Sequence, residues 1–233
     1  MSETALNTDE TQRIEALVSF DAIEPAAPQS FREIVEQAAL ICEVPVAAIN
    51  FISQDKQNFK AKVGLTESTA ERQGSICELV LQKKIPIVVK NISQDPNVKS
   101  VSLPNFSEKI EFYAGQPLVS PQGFVLGTLF IMDVKVRELS KTQMDSLQFL
   151  ALQVMHHLEA NKKLRNLKLK VREAIHDVNN HSAIISGGAY FLKEATTKPQ
   201  LDPKVVANNS ERIHVAIQKV VQRIKDLRAF ILS

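Results

Sequence analysis

The longest unbroken helical pattern in the chain decides its architecture. It opens at Ser140, where Gln143 completes the spacing of a capping box, and it meets no strong breaker before Gly187-Gly188. Within it Val171, Ile175, Val178, Ser182, Ile185, Ala189 and Leu192 alternate steps of four and three, the spacing of a helix-helix seam. A helix continuous from Lys141 to Leu192 would be about 75 Å long at a rise of about 1.5 Å per residue. Thr196 to Pro203, with Pro199 and Pro203, is the one convincing turn in this half. Beyond it Val206, Ile213, Ile217, Val220, Ile224, Leu227 and Ile231 mark a second helix. Two matching seams predict an antiparallel hairpin whose remaining apolar surface is buried by a second copy, as a four-helix bundle. The expected state is a homodimer.

His176 stands one residue off the seam, with Asp177 beside it and Asn180 one turn on along the same face. The run His176-Asp177-Val178-Asn179-Asn180 resembles the phosphoacceptor box of the dimerisation and histidine-phosphotransfer (DHp) hairpin of sensor histidine kinases. That box is a histidine, an acidic residue, two variable positions and then Asn or Thr. The residue types suit the chemistry: phosphoryl acceptance needs neutral imidazole, and a free histidine with a pKa of about 6.5 is mostly neutral at pH 7. A carboxylate hydrogen-bonded to one ring nitrogen sets the tautomer and leaves the other as nucleophile. The resemblance implies His176 as phosphoacceptor, Asp177 as orienting base and Asn180 as supporting polar group. Taken alone, the same run also reads as a solvated His-Asp pair on a polar helix face.

The 233 residues suffice for a substantial core in one or two domains, and a net charge of +2 gives no reason to expect a nucleic-acid partner. Lys162, Lys163, Arg165, Lys168, Lys170 and Arg172 read as the solvated face of a helix. There is no signal segment and no apolar stretch of about 18 residues, so no membrane partner and a cytoplasmic location are expected. The two cysteines, Cys42 and Cys77, lack the spacing and partners of a zinc site, and no disulfide or metal is expected.

Residues 1 to 10 are polar and without periodicity, the pattern of a disordered tail. Helical signals begin near Thr11, and a second helix starts at Ser30, spaced from Glu33 as in a capping box, and ends before Pro45. Val46 to Ile52 and Asn58 to Val63 form a strand hairpin, Ser75 to Gln82 a short helix, and Ile85 to Val89 a strand. Asn91 to Pro104 is loop-like, and Ile110 to Val119 and Phe124 to Met132 are strands around the turn Ser120-Pro121-Gln122-Gly123. Antiparallel strands with helices at both ends indicate an α+β domain. Phe51, Phe59, Leu118, Leu126, Leu129 and Ile131 are expected in its core, facing the helices.

Phe112-Tyr113-Ala114-Gly115-Gln116-Pro117-Leu118, Gly123, Leu126-Gly127-Thr128-Leu129 and Asp133 resemble the closing strand pair of GAF domains. Asp55, Phe59, Lys60, Gly64, Ser75-Ile76-Cys77, Asp95, Arg137 and Leu139 extend the likeness over roughly residues 28 to 158. The resemblance implies a sensory domain of residues 11–158 with loops that can enclose an unidentified small ligand, followed by a signalling helix and DHp-like hairpin over 159–233. Cys77 is followed by Glu78 where similar bilin-binding members carry a Cys-His pair, so Cys77 reads as a small buried hydrophobe. No cofactor is identified, and the ligand, if there is one, would sit between the sheet and the segment Gly64 to Leu103.

A histidine kinase also needs an ATP-binding lobe of about 100 residues or more. No Gly-rich nucleotide loop occurs among the seven glycines. The chain is therefore read as a segment of a sensor histidine kinase or as a phosphotransferase, with a response-regulator receiver domain or a partner kinase as partner. The alternative is a non-catalytic GAF ligand-binding or protein-interaction dimer whose degenerate hairpin serves only assembly.

Overall fold

The computed structural model describes residues 3–20, 22, 29–98, 104, 108–195 and 202–232. Its contacts divide the chain into two compact units, Met1–Lys162 and Lys163–Ser233. Helix α1 is Glu3–Ser19 and α2 is Gln29–Cys42; β1 (Val46–Ile52), β2 (Lys56–Val63) and β3 (Thr69–Glu71) follow. Then come α3 (Ile76–Lys83), β4 (Ile87–Val89), β5 (Phe112–Val119), β6 (Val125–Asp133), α4 (Lys141–Ala195) and α5 (Pro203–Leu232). Part of the expected loop Asn91 to Pro104 and most of the expected turn Thr196 to Pro203 lie outside the described residues.

In the first unit the strands form one six-stranded sheet in the order β3-β2-β1-β6-β5-β4, with neighbouring strands antiparallel. The central strands β1 and β6 are buried along their whole length, because both faces of the sheet are covered. On one face Ala47, Ile49, Phe51, Leu118, Leu126, Leu129 and Ile131 pack with Phe31, Ile34 and Val35 of α2 and with Leu147, Leu150, Val154 and Leu158 of α4. On the other, Ala48, Ile52, Phe59, Tyr113, Phe130 and Met132 pack with Ile76, Cys77, Val80 and Leu81 of α3.

Phe59 therefore lies in the core but on the face opposite to that expected. Asn50 pairs with Phe59 while Ile49 pairs with Ala61, so Lys60 is an extra residue in β2. Such a bulge reverses the faces on either side of it, and alternation counted along the sequence fails there. Gly127 answers a different demand: a Cβ on it would stand 1.9 Å from the carbonyl oxygen of Asn50 on the paired strand.

Two further expectations are corrected at the N-terminal end. Residues 3–10 belong to α1 rather than to a disordered tail, and at the end of this stretch Glu10 pairs with Arg13 and Arg72, and Asp9 with Lys84. Helix α2 already includes Gln29, so Ser30 sits within its first turn and not at its cap. The box at the start of α4 does form: Ser140 N–H donates to Gln143 Oε1 (3.0 Å) and Gln143 N–H to Ser140 Oγ (3.2 Å).

In the second unit α4 and α5 run antiparallel. Lys170 stacks over Phe230, Arg223 pairs with Glu173 and Asp177, and Ile213 lies against Gly188. The row of α4 turned to α5 is Val171, Ala174, Val178, His181, Ile185, Gly188 and Leu192, and that of α5 is Val206, Asn209, Ile213, Ala216, Val220, Arg223, Leu227 and Phe230. Each expected seam thus splits in two. Val171, Val178, Ile185 and Leu192 are half-buried between the helices, whereas Ile175, Ser182 and Ala189 are exposed. On α5 Val206, Ile213, Val220 and Leu227 face inward, and Ile217, Ile224 and Ile231 stay open.

Candidate functional site

His176, Asp177 and Asn180 come together on α4, one helical turn apart on one face. The His176 side chain is 74% exposed and that of Asp177 43%. The ring Nδ1 lies 3.2 Å from Asn180 Nδ2, within hydrogen-bond reach, but 3.8 Å from Asp177 Oδ1, outside it. The arrangement leaves the outer nitrogen, Nε2, as the reachable atom of the ring.

A fourth residue completes the cluster. Arg223 of α5 sets its Nε 2.9 Å from Asp177 Oδ2 and an Nη2 3.7 Å from Glu173 Oε2. The N–H is not aimed along the shorter contact, so it is an ion pair and not an aligned hydrogen bond. Sequence reasoning did not single out Arg223, although the signal is there: a guanidinium occupies a seam position between Val220 and Leu227. The other histidines of the hairpin are placed differently. His181 is half-buried in the seam, with Nδ1 unpartnered, and His214 Nε2 lies 2.8 Å from Gln218 Nε2.

The first unit holds a buried polar chain across the middle of its sheet. Asn50 Nδ2 donates to Gln57 Oε1 (2.7 Å) and Gln57 Nε2 to the Glu71 carbonyl (2.8 Å). Thr128 donates to Asn50 Oδ1 from both its backbone N–H (2.9 Å) and its Oγ1 (2.7 Å). Cys77 Sγ approaches the Tyr113 hydroxyl at 3.4 Å. Burial pushes both the Cys77 thiol and the Tyr113 phenol up, which keeps them protonated.

Between the sheet and the segment Gly64 to Leu103, where a ligand is expected, the described residues include an aromatic cluster. Phe130 stacks on Tyr113 at 5.8 Å between ring centroids and meets Phe59 edge-on at 6.1 Å. At the edge of the unit a cavity of about 320 Å³ is lined by Glu10, Arg13, Arg72, Leu81, Lys84 and Phe124, among others. Burial would raise the Glu10 carboxyl, but hydrogen bonds and charge from Arg13 and Arg72 outweigh it and hold the group below its usual range.

The GAF domain of a phosphoenolpyruvate-protein phosphotransferase from Acinetobacter superposes on this chain with a TM-score of 0.50 at 19% identity, covering 69% of this chain and 95% of that one. The corresponding domain from Coxiella burnetii gives 0.50 at 16% identity, covering 66% and 96%. The first unit has the GAF fold. A cyclic di-GMP phosphodiesterase of Pseudomonas aeruginosa is 29% identical over 129 residues, 55% of this chain and 22% of that protein, so the chain spans about a fifth of that relative's length. No family model matches the chain. Among the described residues no helix is long and apolar enough to cross a membrane, and no group of three or more His, Cys, Asp or Glu is placed to hold a metal ion.

Proposed function

We propose that the chain is a signal-transduction protein of the two-component or phosphorelay type, in which the GAF unit receives the input and His176 accepts a phosphoryl group. The observation that carries this reading is the exposed His176 ring with Asp177 and Asn180 on the same face of α4. The donor is the phosphorylated aspartate of a response-regulator receiver domain, or a partner kinase holding ATP. The Nε2 lone pair forms the N–P bond while the P–O bond to the donor breaks, its electron pair leaving on the donor oxygen. Asp177 stabilises the positive charge that develops on the ring once its carboxylate closes from 3.8 Å onto an Nδ1–H.

A homodimer fits this role. The open rows Ile217, Ile224, Ile231 on α5 and Ile175 on α4 supply the apolar surface that two hairpins need to pair as a four-helix bundle. The test is incubation of the chain with a phosphorylated receiver domain or a partner kinase. Acid-labile label is expected on the unaltered chain, and none on His176→Gln, which still dimerises. Equal labelling of His176→Gln removes the site.

One observation favours a second reading, a non-catalytic sensory dimer. The buried aromatic cluster of Phe59, Tyr113 and Phe130 on the sheet face toward α3 suits a GAF unit that works by protein contact. Absence of label with every cognate donor favours that reading.

A further inference from the structure

We infer that Arg223 is a positioning residue that holds His176 in the tautomer unable to accept a phosphoryl group, through an ion pair with Asp177 across the hairpin. This deepens the proposed function and rests on it for its meaning, though not for its measurement. Neutral imidazole has one N–H and one lone pair, and the partner of one nitrogen decides the state of the other. Asn180 Nδ2 is a donor only, and it lies 3.2 Å from Nδ1. Nδ1 therefore presents its lone pair and the proton sits on Nε2. The exposed nitrogen then has no lone pair with which to attack phosphorus.

For Nε2 to become the nucleophile, its proton must leave and Nδ1 must take one up. An Nδ1–H needs an acceptor, and Asp177 is the carboxylate at hand. Its Oδ1 stands 3.8 Å from Nδ1, beyond the roughly 3.2 Å limit of an N–H···O hydrogen bond. The other oxygen, Oδ2, is held 2.9 Å from Arg223 Nε, and Arg223 also leans on Glu173 at 3.7 Å. A carboxylate with one oxygen on a guanidinium of the opposite helix is not free to close on the ring. A small shift of α5 against α4 would release it. The same shift would move the tautomer balance toward Nδ1–H, and the fraction of competent histidine sets the rate of acceptance.

The experiment is nitrogen NMR of the full chain labelled with 15N-histidine, at about pH 8, with no phosphoryl donor present. The His176 resonances are identified by their loss in His176→Gln. The unaltered chain is expected to be mainly the Nε2–H tautomer. Arg223→Gln should shift the majority to Nδ1–H, and Arg223→Lys, which keeps the charge and the packing stem, should shift it less. Asp177→Asn in the Arg223→Gln background should return it to Nε2–H. Where the chain is labelled by a donor, Arg223→Gln should label faster in proportion to the Nδ1–H fraction. A mainly Nδ1–H unaltered chain, or a ratio that neither Arg223 variant moves, overturns the inference while leaving His176 as phosphoacceptor intact. A chain that no donor labels but whose tautomer follows Arg223 counts against phosphotransfer and not against the ion-pair control.

Discussion

Replacing Ile224 by Asp should turn a dimer into a monomer without disturbing the hairpin itself. Ile217, Ile224 and Ile231 stand seven residues apart on α5 and are 45%, 56% and 57% exposed, while Val220 and Leu227 beside them face α4. Full burial of an isoleucine is worth about 1.5–3 kcal/mol, so covering the exposed half of Ile224 contributes about 1 kcal/mol per chain, or about 2 kcal/mol per dimer. Asp loses that and places a carboxylate from each chain in the interface, at about 3 kcal/mol or more when unpaired. The combined effect of about 5 kcal/mol or more weakens dimerisation at least about 1000-fold. Sedimentation velocity at micromolar concentration should find the unaltered chain dimeric and Ile224→Asp monomeric, with helical circular dichroism unchanged. Ile213→Asp is the contrasting variant: a Cβ at Gly188 would lie 2.7 Å from Ile213 Cγ1, so a charge there opens the hairpin and lowers helicity. Ile185 is likewise half-buried toward α5, and a charge there damages the hairpin before the dimer. A monomeric unaltered chain, or a dimer indifferent to Ile224→Asp, would refute the division of the seam into an inner and an open row.

Three other outcomes follow from the GAF unit. Asn50→Ala strips partners from Gln57 and from the backbone and hydroxyl of Thr128, and should cost about 3–5 kcal/mol in urea unfolding; a loss under about 1 kcal/mol would show that the polar chain contributes little to stability. The folded Glu10 carboxyl titrates below its usual 4.5, so its contribution is present above that pH and is lost as pH falls below it toward the folded value; the stability gap between the unaltered chain and Glu10→Gln should close as urea midpoints are followed from pH 7 down through 4.5. Cys42, which burial pushes up to about 11, and Cys77, pushed up for the same reason, should react with Ellman's reagent only in denaturant, and rapid reaction of the native chain would contradict the packing around them.

The elements that were legible in the sequence are those whose signals are local. The Ser140–Gln143 box, the turn ending at Gly123 and the apolar runs that became β1, β5 and β6 each carry their own chemistry within a few residues. The misses share the opposite property. Phe59 changes face because of one extra residue in β2, Lys60, whose effect exists only once β1 is alongside. Helix α1 is held by Glu10 to Arg72, a partner 62 positions away. The hairpin seams were right at Val171, Val178, Ile185 and Leu192 but displaced by one at the alternate positions, where small or polar residues, Ala174, His181 and Gly188, face α5 in place of Ile175, Ser182 and Ala189. Hydropathy ranks Ile175 above Ala174, but close approach of two helices favours the smaller side chain. The site shows the same division: His176, Asp177 and Asn180 are neighbours in sequence, while Arg223 enters from the other helix.

The central claim is that His176, among the histidines of the hairpin, is the phosphoacceptor. Its most direct test is peptide mapping under alkaline conditions after exposure of the full chain to a phosphorylated receiver domain. Phosphohistidine is expected in the peptide carrying His176, with the modification assigned to that ring and none at His181 or His214. Modification at His181 or His214 with His176 unmodified would contradict it.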